Sequence, residues 1–210
     1  MKLFLASRFN NPLTIKKLDE YVGGIKGKKI AYIPTASNGE NDWGYWKIKE
    51  DGSWNQINAL GADVKSVVLE EYRNESVIKE LKGQDVIWFA GGMPGYLMYW
   101  IKRCGIDAHI DELFGKNTLY FGTSAGAMVA GLSNEISTWG FDDCERGAGD
   151  MKFLNLVNFD IFPHYQDHFL PKIKENYKGK KLYLLKDGEE IIVEDSKITL
   201  IGEERIIRND

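Results

Sequence analysis

The segment Gly122-Thr123-Ser124-Ala125-Gly126 sets one hydroxyl between two glycines, after the apolar residues 119–121 and before the apolar residues 127–130. G-x-S-x-G between a strand and a helix is the pattern of a nucleophile elbow. The sharp turn strains and exposes the middle side chain, and the flanking positions must be small because neighbouring backbone passes close by. The same five residues also describe a glycine turn with a serine N-cap. The apolar run on each side favours the nucleophile. Ala125 then supplies the next backbone N–H, a donor for an oxyanion developing beside Ser124. A second glycine loop, Ala90-Gly91-Gly92-Met93, follows the apolar run at 86–89. Gly92 lets backbone approach a ligand closely and offers a second oxyanion N–H.

A serine nucleophile needs a base, and the base needs an orienting group. The chain has three histidines. His109 lies in the acid-rich, helix-like segment GIDAHIDELF and reads as a surface residue. His164 follows an apolar strand-like run and Pro163, at a strand end, where an α/β sheet presents reactive groups. His168 is four residues further on, and reads as an ordinary surface histidine. As a metal pair, His164 and His168 lack both the glutamate of H-E-x-x-H, replaced by Tyr165, and a third ligand. Neither glycine loop matches GxxxxGK[ST] or GxGxxG, so nucleotide binding is disfavoured. The expectation is a site with no metal and no cofactor.

These residues need a scaffold. Short apolar runs at 2–7, 29–35, 63–69, 85–92 and 118–124 read as strands, mostly hydrophobic on both sides as in a parallel sheet covered on two faces. Helical spacing lies between them: Leu13, Ile15, Leu18 and Tyr21; Val77, Ile78 and Leu81; Leu97, Trp100 and Ile101. The expected fold is a doubly wound, mostly parallel α/β sheet sandwiched by helices. The alternating C-terminal stretch, with turn signals at Asp187-Gly188 and Asp195-Ser196, adds a small antiparallel hairpin or meander at the sheet edge. No linker or repeat interrupts the chain, which reads as one domain over 1–210. Trp43, Tyr45 and Trp46 read as packing against the sheet rather than as a lid.

Bulk composition narrows the partners. The formal charge of -4 lacks the basic footprint of a nucleic-acid binder. No apolar run approaches the roughly 20 residues of a membrane helix. The apolar opening stretch is too short for a signal peptide. Two cysteines without CxxC spacing argue against a disulfide scaffold. Free thiols and a cytoplasmic location are expected.

Ser124 in GTSAGAM, the loop FAGGMPGYL and His164 in its Pro-His-aromatic context resemble peptidase family S51, the dipeptidase E group. That family includes the cyanophycinases and is related in fold to the class I glutamine amidotransferases. The resemblance runs from the first strand to about residue 165. It implies serine as nucleophile, histidine as base, and an acid between them in the chain. The family's spacing back from His164 falls on Asp142, with Asp143 the close competitor. Two departures stand out. Met93 follows Gly92 where the family commonly continues Gly-Asn, and the segment LPKIKENYKGKK carries Lys172, Lys174 and Lys178 in place of an aspartate-reading arginine. A lysine lacks the planar bidentate fork of arginine, and these three read as a solvated helix face.

The expected activity is serine-type hydrolysis of peptide or isopeptide bonds in small peptides by Ser124, His164 and Asp142, with Gly92 and Ala125 as backbone oxyanion donors. The alternatives are a non-catalytic binding protein of the same fold and an esterase or amidase acting on a non-peptide substrate. A small peptide is the expected partner, with no nucleic acid and no membrane. Oligomeric state is open, a homodimer included.

Overall fold

The computed structural model describes residues 1–115, 117–139, 141 and 151–209. Five strands form where the apolar runs lie: β1 (Lys2–Ala6), β2 (Lys29–Ile33), β3 (Asp63–Ser66), β4 (Val86–Phe89) and β5 (Leu119–Thr123). They run parallel in the order β3-β2-β4-β5-β1. Alternate residues enter different cores. Leu3, Leu5, Ile33, Phe89 and Tyr120 face one side, and Phe4, Tyr32, Trp88 and Phe121 the other. Both sides are apolar because helices cover both.

The helix Pro12–Tyr21 begins with the Asn11 side chain accepting the Leu13 N–H and with proline in its first turn, as helix starts favour. It buries Thr14 and Leu18, one turn apart, whereas Leu13 is 62% exposed. The apolar stripe is therefore rotated from the face expected. The helix Pro94–Arg103 covers the opposite side with Leu97 and Ile101, and Trp100 packs against its margin. Val77, Ile78 and Leu81 are buried as expected, on a 3-10 turn that continues into the short helix Ile78–Leu81.

The C-terminal stretch divides between two sheets. β8 (Glu190–Glu194) and β9 (Lys197–Ile201) form the expected antiparallel edge hairpin, with β8 paired to β1. β6 (Asp160–Phe162), β7 (Lys181–Leu184) and β10 (Ile206–Arg208) form a separate sheet, β10-β7-β6. Ile161, Leu182 and Leu184 of this sheet join the core of Leu3 and Leu5. β6 thereby brings residue 164 to the carboxyl end of the main sheet.

Glu190 opens β8 opposite Ala6 and is fully buried. Neither of its carboxylate oxygens has a hydrogen-bond partner among the described residues, and the nearby Thr14 hydroxyl lies outside bonding geometry. Burial pushes its pKa up to about 7, against the relief offered by Thr14 and Lys17. The sign follows from proton uptake. Between the unfolded carboxyl's pKa and about 7, the folded chain holds a proton that the unfolded chain has released, so stability falls as pH rises through this window. Glu190→Gln should remove that slope. In chemical denaturation, the stability lost between pH 4 and pH 8 should shrink by about 3 kcal/mol relative to wild type. An unchanged slope would show that Glu190 does not carry it.

Candidate active site

β5 ends at Thr123 and the helix Ala125–Met128 begins two residues later, leaving Ser124 alone at the bend with φ 50° and ψ -115°. A side chain in this region is strained and persists only where its surroundings enforce it. Two glycines make the bend possible. A Cβ on Gly122 would stand 2.3 Å from the Gly126 carbonyl oxygen, and one on Gly126 would stand 1.9 Å from that of Phe89. The Tyr120 hydroxyl donates to the Gly126 carbonyl at 2.8 Å, and the Trp88 indole to the Thr123 hydroxyl at 3.0 Å. The turn is thus pinned from beneath on both faces of the sheet.

His164 follows β6 in the left-handed region as well, at φ 54°. Its Nε2 lies 3.0 Å from Ser124 Oγ. Its Nδ1 lies 2.7 Å from Oδ1 of Asp187, a residue that sequence spacing assigned only to a turn. Ser7, fully buried at the end of β1, ties the two together: its hydroxyl donates to Asp187 Oδ1 at 3.0 Å and accepts the His164 backbone N–H at 2.8 Å. Arg8 Nη1 reaches Asp187 Oδ2 at 3.3 Å. Its hydrogen bond with His164, and secondarily those with Ser7 and Arg8, hold the Asp187 carboxyl down to about 2 despite partial burial. It is a carboxylate at any neutral pH.

The turn that carries Asp187 is itself fastened. Glu189 accepts the Lys186 and Glu203 N–H groups and pairs with Arg205 Nη1 at 2.8 Å, in a site where both side chains are mostly buried. A charge-assisted pair of this kind fixes direction as well as adding energy.

Asp142 and Asp143 lie outside the described residues. His109 instead bonds through Nδ1 to the Gly105 carbonyl, and His168 is exposed against Phe169. Lys172, Lys174 and Lys178 do not line the cleft beside Ser124, and Lys172 sits over the Phe141 ring.

That cleft is about 410 Å³ in volume. Residues 8–10 form the wall beside β1, and a segment from Ser37 to Ser53 forms the wall beyond β2. Gly92, at φ 132°, packs so closely on the helix Thr35–Glu40 that a Cβ would stand 2.2 Å from Ala36 backbone. The Met93 N–H donates to the Ala36 carbonyl at 3.0 Å. The buried Glu70 holds this helix by accepting from the Thr35 hydroxyl at 2.8 Å and the Asn38 amide at 3.0 Å. The N–H groups of Gly92 and Ala125 have no acceptor among the described residues. Of the aromatic residues at 43–46, Trp46 is buried against Tyr32 and Trp54, whereas Trp43 and Tyr45 are exposed.

The model of peptidase family S51 matches residues 3–201 of the chain. The chain belongs to peptidase family S51. It is accordingly a hydrolase, a serine peptidase. Among similar proteins, the uncharacterized peptidase Lmo0363 of Listeria monocytogenes is 27% identical over 203 residues, covering 93% of this chain and 96% of its own. Peptidase E of Haemophilus influenzae Rd is 30% identical over 188 residues, covering 86% and 78%. A crystal structure of a candidate peptidase E from Listeria monocytogenes EGD-e superposes with a TM-score of 0.75 at 26% identity, over 95% of this chain and 97% of that one. The fold found here, a large, mostly parallel sheet with helices on both faces, is the one that superposes on that structure. No helix among the described residues is long and apolar enough to cross a membrane.

Proposed function

We propose that this S51 peptidase hydrolyses peptide bonds in small peptides through Ser124, His164 and Asp187. The observation that carries this reading is the unbroken hydrogen-bond path Ser124 Oγ–His164 Nε2 and His164 Nδ1–Asp187 Oδ1, at 3.0 and 2.7 Å. Ser124 Oγ attacks the carbonyl carbon while His164 Nε2 takes its proton. The tetrahedral oxyanion is received by the N–H groups of Gly92 and Ala125. His164 then returns the proton to the departing amine, leaving an acyl-serine. Water attacks this ester with His164 again as base, which frees the acid and Ser124. Asp187 takes the orienting role for which the family's spacing suggested Asp142. As a carboxylate on Nδ1–H, it keeps Nε2 the proton acceptor and stabilises the imidazolium. The cleft's volume suits a ligand of di- or tripeptide size.

A fluorophosphonate probe tests the reading directly. Peptide mapping by mass spectrometry should place a single adduct on Ser124, and the labelled protein should lose dipeptide hydrolysis in proportion to labelling. An adduct elsewhere, or hydrolysis that persists after Ser124 is fully labelled, would remove the proposal.

A further inference from the structure

We propose that Ser7 is a positioning residue for the hydrolytic step: its buried hydroxyl sets the distance between His164 and Ser124 by holding the base and its acid against the end of β1. The proposal rests on the Ser124-His164-Asp187 reading and concerns what keeps those side chains in register, which that reading leaves open.

The reacting groups come from different sheets. Ser124 stands at the end of β5, in the main sheet. His164 follows β6 in the small sheet and is tied to the strand beside it. The Tyr165 N–H donates to the Leu185 carbonyl at 2.9 Å, and the Leu185 N–H to that of Phe162 at 2.9 Å. Asp187 lies two residues beyond Leu185, between β7 and β8. The base is therefore carried by one sheet and the nucleophile by the other. Proton transfer between them needs a hydrogen-bond distance, and a misplacement of about 1 Å is enough to cost roughly 10²-fold. Something has to fix one sheet against the other at this point.

The end of β1 does so with two consecutive residues. The Ala6 carbonyl accepts the Ser124 N–H at 3.0 Å. The next residue, Ser7, gives its own backbone N–H to the Glu189 carbonyl at 3.2 Å. Its Oγ accepts the His164 N–H at 2.8 Å and donates to Asp187 Oδ1 at 3.0 Å. Nucleophile, base and acid are thus referred to one end of a strand that is paired on both sides. Ser7 is fully buried and has no surface to offer a bound peptide.

What the hydroxyl holds is specific to the chemistry. His164 sits at φ 54°, a conformation that a side chain keeps only where its surroundings enforce it. The bond from its N–H to Ser7 Oγ is part of that enforcement. An alanine at position 7 leaves the N–H without this acceptor and lets the backbone relax, which turns the imidazole away from Ser124. Asp187 Oδ1 receives both the Ser7 hydroxyl and His164 Nδ1, so the same bond fixes the carboxylate in line with the ring. The other anchor of that carboxylate, Arg8 on Oδ2 at 3.3 Å, is about half exposed and screened by water. A hydroxyl that only satisfied buried polar groups would cost stability on removal and leave the chemistry of the folded protein intact. A positioning hydroxyl costs turnover in protein that is folded.

The test compares Ser7→Ala and Ser7→Cys with wild type in dipeptide hydrolysis. Cysteine fills nearly the same space with a weak donor and a weak acceptor, so it reads the hydrogen bonds even where alanine folds poorly. Both variants should lower kcat by about 10- to 100-fold, the range of a hydrogen bond to a charged group, with KM within about twofold. The rate of fluorophosphonate labelling at Ser124 reads the same proton transfer without a peptide and should fall in step. The low-field proton NMR resonance of His164 Nδ1–H, the signature of its bond to Asp187, should broaden or move upfield. Ser7→Cys should melt close to wild type. Added to Asp187→Asn, Ser7→Ala should cost far less than it costs wild type, because residues that act as one unit are not additive. Unchanged kcat and labelling rate in both variants, a loss expressed in KM alone, or full additivity with Asp187→Asn overturns the proposal. Labelling also separates the two readings. Ser124 labelled in wild type, with both Ser7 variants labelled as fast, removes the role of Ser7 alone; Ser124 unlabelled in wild type removes the catalytic reading as well.

Discussion

Asp187→Asn is expected to lower kcat by about 10³- to 10⁴-fold with KM little changed, the scale of effect when a triad acid is replaced by its amide. The amide can sit where the carboxylate sat and still point its Nδ2 at His164 Nδ1. A donor there requires Nδ1 to accept, which moves the ring proton to Nε2. Ser124 then faces a donor at 3.0 Å and has no group to take its proton. Asp187→Ala removes the acceptor of the Ser7 hydroxyl and the partner of Arg8 outright, so it should be no milder. Melting temperature serves as the control, since Asp187 is about one-third exposed and contributes little to the core. Asp142→Asn and Asp143→Asn, measured beside it, should stay within a few-fold of wild type. A severe effect at Asp142 with a mild one at Asp187 would reverse the assignment.

The contrast among these acids shows what the sequence carries. Ser124 is legible because the elbow is local: five residues state both the strain and the small neighbours it needs. His164 is legible because a strand and a proline precede it, and because rival histidines sit in acid-rich or exposed contexts. Asp187 has no such local signature. Asp187-Gly188 is an ordinary turn pair, and Gly188 at φ 92° fits that role. The residue reaches His164 only because β8 pairs antiparallel with β1, which lays the turn beside Ser7, 180 positions away in sequence. No spacing rule spans that distance. Ser7 is missed for the same reason, since a buried serine at a strand end looks like any other.

The same limit applies to the fold. Alternation along 181–208 identifies strands but not their partners, because a period of two fits any sheet. β8 and β9 took the edge of the main sheet, whereas β7 took β6, and that choice is what delivers His164. The helix at 12–21 was legible as a helix. Its buried face was not, since Asn11 and Pro12 set its start and turn Thr14 inward in place of Leu13.

Gly126→Ala should destabilise the fold by about 4 kcal/mol or more, among the largest effects of a single methyl group. The added Cβ would stand 1.9 Å from the Phe89 carbonyl oxygen and 2.6 Å from its carbon. Ordinary C···O contact needs about 3.3 Å, so the helix Ala125–Met128 must rise from β4 by more than 1 Å. Neither neighbour yields easily. Phe89 belongs to the central strand β4, paired on both sides, and the Gly126 carbonyl is held by the Tyr120 hydroxyl. A shift of that size also carries Ser124 away from His164, whose position is set independently by Ser7 and Asp187. In a chain of this length the melting temperature should fall by about 10 °C, and any protein that folds should label with fluorophosphonate far more slowly than wild type. Gly83→Ala provides the comparison: Gly83 has φ 76° but no atom within 4 Å of its missing Cβ, so it tests conformation without contact and should cost about 1 kcal/mol. Equal losses at the two sites would mean that close backbone approach beneath Ser124 is not what requires glycine there.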